Sequence, residues 1–118
     1  MNTENMLKLA DVIEKQEHVL ETDYSGFNMA KYWHPCGTPS CIAGFASNEA
    51  GFTKRNALTF SRARKWLGIG DAIAERLFAP SERQLGFPML NITPAMAAWT
   101  LRNLAETGRV EWKPDQQT

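Results

Sequence analysis

Apolar residues recur at intervals of three and four through most of this 118-residue chain, and no run alternates apolar with polar long enough for a sheet. That spacing predicts an all-α fold, a single compact bundle of about five helices. Met6, Leu9, Ala10, Ile13 and Leu20 form one face of a first helix, with Glu4, Lys8, Asp11, Glu14, Lys15 and Glu17 on the others. Phe60, Ala63, Trp66 and Leu67 give a core face over 59–67, and Trp66 is expected in the core. Ile73, Ala74, Leu77 and Phe78 mark a helix that Asp71 caps and Pro80 stops, and Gly86 and Pro88 make 81–90 a loop. Thr93-Pro94 is a cap followed by a proline suited to the first helical position. Ala97, Leu101, Leu104 and Ala105 then face inward, Gly108 stops the helix, Val110 folds back, and Trp112 anchors the tail.

The second helix starts in the most distinctive stretch, His34-Pro35-Cys36-Gly37-Thr38-Pro39-Ser40-Cys41-Ile42-Ala43-Gly44. The same cap-plus-proline signal places Thr38 as its cap and Pro39 first in the helix, with Ser40 and Cys41 completing the first turn. Ala43, Gly44, Ala46 and Ser47 have little bulk, so a neighbouring backbone is expected close by. Before this block, Tyr24, Phe27, Met29, Tyr32 and Trp33 lie among Gly26, Asn28 and Pro35, a mixture that predicts an aromatic-rich packed loop.

The length suits one domain, taken as 1–112 with a frayed tail at 113–118. Thirteen basic and thirteen acidic residues cancel, so no long-range field draws the chain to nucleic acid or an anionic membrane. No apolar run spans a bilayer, and Met1-Asn2-Thr3-Glu4-Asn5 lacks the basic start of a signal peptide, which predicts a cytoplasmic protein. Two cysteines are too few for a disulfide framework.

Several signatures occur in order: Phe27-Asn28-Met29 with Trp33, Cys36-Gly37-Thr38 with Cys41-Ile42-Ala43-Gly44, Trp66-Leu67-Gly68-Ile69, and Thr93-Pro94 with Leu101, Leu104 and Thr107-Gly108. In these the chain resembles a group of small uncharacterised bacterial and phage-associated proteins, over most of its length. The resemblance implies a compact, largely helical intracellular protein and carries no activity with it. Phe45 stands where many of that group have tryptophan, keeping an aromatic but losing an indole donor.

Cys36, Gly37, Thr38, Cys41 and Gly44 read first as a structural motif, both thiols packing as small apolar groups. A local Cys36–Cys41 disulfide is a variant of that reading. Zinc binding through His34, Cys36 and Cys41, with His18 from the first helix as fourth ligand, is an alternative that lacks the usual close ligand pairs. Otherwise His18 is a polar-face helix residue and His34 an exposed loop residue or an aromatic-packing partner. Thiol catalysis at Cys41 has only His34 or His18 as base, both upstream.

Lys54, Arg55, Arg62, Arg64 and Lys65 form a basic strip with no acidic residue between them. With the helix, turn, helix rhythm around Gly68, the strip suggests nucleic-acid contact of helix-turn-helix type, although Ala72, Ile73, Ala74, Leu77 and Phe78 offer little to base edges. Tyr24 to Trp33 with Phe87, Met89 and Leu90 supply an anchor cluster for a protein partner or for self-association. The reading is a non-enzymatic accessory or protein-interaction domain without a cofactor. Nucleic-acid binding is the alternative, zinc binding a further one.

Overall fold

A computed structural model describes residues 1–20, 25–53 and 58–112. They form six α-helices: α1 Thr3–Glu14, α2 Ile42–Glu49, α3 Thr59–Leu67, α4 Asp71–Phe78, α5 Glu82–Leu85 and α6 Pro94–Thr107, with a 3-10 turn at Met89–Asn91. The fold is all-α, and the described residues include no strand. Two isolated β-bridges, His18 with Phe27 and Trp33 with Pro39, organise the loop between α1 and α2.

The long terminal helices α1 and α6 pack most extensively on each other, and α2 packs on α3. Met6, Leu9 and Ile13 of α1 meet Met96, Ala97, Leu101 and Leu104 of α6 in a core completed by Ile42, Ala43, Ala46, Ala63, Leu67 and Leu77. Phe27 and Met29 drop into the same core from the loop, so this segment is packed interior. Burying an aromatic ring such as Phe27 stabilises the fold by about 3 kcal/mol. At the surface, Arg102 of α6 reaches Glu14 at 2.7 Å and Asp11 at 2.8 Å on α1. Its hydrogen bond holds the Glu14 carboxyl below the ordinary carboxylate value.

Local signals set the ends of α6. The Thr93 hydroxyl accepts the Met96 amide at 3.2 Å, Pro94 follows, and Gly108 closes the helix in the left-handed region at φ 76°. Trp112 donates its indole N–H to the Arg76 carbonyl at 3.0 Å, fastening the chain end to α4.

Thr38 behaves differently. Cys41, with ψ 179°, is the residue before α2, and the helix begins at Ile42 rather than at Pro39. Ser40 donates its amide to the Tyr32 carbonyl at 3.0 Å, and the Asn28 amide donates to Ser40 at 2.8 Å. These pairings hold 38–40 extended. Thr93→Ala is therefore expected to cost about 1 kcal/mol in urea unfolding and Thr38→Ala less than about half of that.

Other expectations are corrected. α1 ends at Glu14, which leaves Leu20 65% exposed and puts His18 outside the helix. Gly70, not Asp71, precedes α4, and Asp71 opens its first turn. The stretch 81–90 contains α5 and the start of the 3-10 turn, with the Ser81 side chain accepting the Gln84 amide. Trp66 is half-buried at the edge of the core rather than within it. The tail at 113–118 lies outside the described residues.

Candidate functional site

Three buried polar residues position the cysteine block. Asn28 donates Nδ2 to the Val19 carbonyl at 2.9 Å and accepts the Ala30 amide at 2.7 Å. The Ser40 hydroxyl donates to the Asn28 carbonyl at 2.7 Å. His34 is buried, not exposed, and its Nε2 lies 2.8 Å from the Gly26 carbonyl. A carbonyl only accepts, so that nitrogen carries the proton. The His34 amide also donates to the Thr38 carbonyl at 2.9 Å, and the Gly37 amide to the His34 carbonyl at 2.9 Å, closing the loop that holds Cys36.

The two thiols have opposite surroundings and form no disulfide. Cys36 is exposed, with its sulfur 3.2 Å from the Thr38 hydroxyl. Cys41 is 1% exposed and makes no capping hydrogen bond to α2 of good geometry. Burial pushes its thiol up from about 9 to about 11, against the smaller opposite influence of the Gly44, Ala43 and Cys41 amides. Burial, with a smaller effect from Cys41, also raises the Tyr32 phenol. Cys41 is therefore a neutral thiol at physiological pH.

A pH dependence follows from that burial. Below pH 9 the thiol is protonated whether the chain is folded or unfolded, and its full contribution is present. Between about 9 and about 11 the unfolded chain releases a proton that the folded chain keeps, so stability falls. Relative to Cys41→Ala, the wild-type protein is expected to lose about 2–3 kcal/mol over that interval, read from urea unfolding at each pH.

The ligand set expected for zinc is not brought together. His34 is turned to Gly26, His18 places Nε2 3.1 Å from the Leu90 carbonyl, and Cys36 faces the Thr38 hydroxyl. Among the described residues no three His, Cys, Asp or Glu side chains are grouped to hold a metal ion. Cys41 instead shares an open depression of about 230 Å³ with Met29, Tyr32, Phe78 and Met89.

The basic strip is divided by its own contacts. Arg64 bonds the Ile69 carbonyl and the Asp71 carboxylate, each at 3.1 Å, and thereby ties the α3–α4 turn. Arg62 lies over the Phe52 ring, 4.1 Å from its centroid. Lys65 is exposed, and Lys54 and Arg55 lie outside the described residues. Arg64 is thus used within the chain, while Arg62 remains at a surface depression. The expected partner-binding aromatics are divided: Phe27 and Met29 are core, Trp33, Phe87, Met89 and Leu90 are half-buried, Tyr32 is exposed, and Tyr24 is outside the described residues.

A different cluster remains at the surface. Ala50, Phe52, Arg62, Lys65 and Trp66 line an open depression of about 350 Å³ between the end of α2 and α3. Arg62 and Trp66 are four apart on α3 and so share a face. The Arg62 Nε is shut off from solvent and meets no acceptor among the described residues, a condition that costs about 1–3 kcal/mol.

Comparison with protein-family models, curated proteins and solved structures finds no match to the chain. Function therefore rests on the chemistry of this surface. Sequence reasoning found Arg62, Lys65 and Trp66 separately but not Phe52, whose only signal is an aromatic placed just after the Gly51 that ends α2. No helix among the described residues is long and apolar enough to cross a membrane.

Proposed function

We propose that the chain is a non-catalytic protein-interaction domain whose recognition surface is the depression between α2 and α3. The observation that carries the reading is the Arg62 guanidinium stacked on Phe52 beside the half-buried Trp66. Arginine and large aromatics held together at a surface are the side chains that anchor protein interfaces. Burial of Cys41, which keeps its thiol neutral, supports a scaffold role for that residue. A cytoplasmic accessory role in a bacterium or phage belongs to the same proposal, the resemblance itself implying only a compact, helical intracellular protein.

The test is a photo-crosslinking residue placed at Lys65 or, as a control, at the exposed Glu82 of α5, in cells that make the chain. A discrete protein adduct from position 65, absent at 82 and lost on Trp66→Ala, is the expected result. An adduct at twice the mass of the chain would make the partner a second copy. No adduct at 65, or equal adducts at both positions, contradicts the reading.

A further inference from the structure

We infer that the α2–α3 depression binds a carboxylate carried next to an apolar side chain, as in an acidic stretch of a partner protein. The inference rests on the interaction reading above and names the chemistry of its ligand. Two cations, Arg62 and Lys65, line the depression with Ala50, Phe52 and Trp66, and among the described residues no acidic side chain lines it with them. The site is therefore positive with apolar walls.

Arg62 differs from Arg64 and Arg102. Arg64 has Asp71 and the Ile69 carbonyl, and Arg102 has Asp11 and Glu14. The Arg62 Nε is closed off from solvent and has no acceptor among the described residues, while the side chain as a whole lines the depression beside Lys65 and Trp66. The Phe52 ring 4.1 Å away holds the guanidinium plane in place, which lowers the cost of fixing it on binding. A planar fork of donors matches the two oxygens of a carboxylate.

Trp66 and Phe52 supply the walls against which an apolar neighbour packs, and Lys65 adds charge at the exposed edge. A nucleic-acid strand fits less well. Its phosphates call for a row of open cations, and Arg64, the next basic side chain of α3, is turned to Asp71.

The experiment is NMR titration of the full-length isotope-labelled chain, following the Arg62 Nε–H and the Trp66 indole N–H. The probes are a blocked peptide Glu-Glu-Phe-Glu-Glu, its Gln-Gln-Phe-Gln-Gln counterpart and a short oligothymidylate. The Glu peptide is expected to move both signals and to bind at least about tenfold more tightly than the Gln peptide, as charged hydrogen bonds require. Arg62→Gln should abolish that preference, Arg62→Lys should keep only part of it, and Lys65→Gln should weaken binding about threefold. The backbone spectrum of each variant reports whether the fold is intact, and Lys65→Gln, at an exposed position, serves if Arg62 variants do not fold.

Equal affinity for the Glu and Gln peptides overturns the carboxylate inference while leaving a peptide-binding face. Tighter binding of the oligothymidylate, or no shift of Arg62 and Trp66 with the Glu peptide, also overturns it. Failure of the interaction reading itself is read separately, from the absence of a crosslink at position 65.

Discussion

Gly44→Ala is expected to destabilise the protein by about 3 kcal/mol and to lower its melting temperature by more than about 10 °C. Helix propensity predicts the opposite sign, a gain of about 1 kcal/mol for alanine in a helix interior. The difference lies in a close approach: a Cβ at Gly44 would overlap the Tyr32 carbonyl oxygen. That oxygen cannot readily retreat, because it accepts the Ser40 amide at 3.0 Å in the pairing that leads into α2. Gly70→Ala is the control, since a Cβ there meets nothing within 4 Å. Its effect should stay within about 1 kcal/mol, that of an ordinary residue before a helix. Urea unfolding of the two variants separates propensity from packing.

Asn28→Ala is the second large effect, expected at about 2–3 kcal/mol. The side chain is fully buried and satisfies the Val19 carbonyl and the Ala30 amide at once. Alanine leaves both groups without it and opens a gap beside Phe27. Asn28→Asp keeps an acceptor for Ala30 but sets a carboxylate oxygen against the Val19 carbonyl, so it should be at least as damaging at neutral pH. Chemical unfolding of both variants checks the order. A loss below about 0.5 kcal/mol for Asn28→Ala would show that this network does not hold the loop.

Thr38-Pro39 and Thr93-Pro94 show how far the sequence was legible. Both carry the same cap-plus-proline signal, and only the second caps a helix. Nothing competes for the backbone at Thr93, so the local preference decides. At Ser40 the backbone is taken by Tyr32 and Asn28, partners eight and twelve residues away whose approach depends on the tertiary fold, and the Thr38 carbonyl is taken by His34. The amphipathic faces of α1, α3, α4 and α6 were readable because burial follows period, as Met6, Leu9 and Ile13 or Leu101 and Leu104 illustrate. His34 and Asn28 were not readable as interior residues, since polarity alone places such side chains outside and only carbonyls from distant turns bring them in. The depression was hidden for a related reason: Phe52 and Arg62 are ten positions apart and meet because α2 packs on α3.

The account holds that the cysteine block braces the fold, with Cys41 buried at the wall of the depression it shares with Met29 and Tyr32, and Cys36 exposed. Thiol reaction with a charged aromatic disulfide at neutral pH, on the wild type and on Cys36→Ser, tests this most directly. One thiol should react rapidly in the native wild type and none in native Cys36→Ser, where Cys41 should react only as the chain unfolds in urea. Reaction of Cys41 in the native variant at the rate of an exposed model thiol would contradict the account.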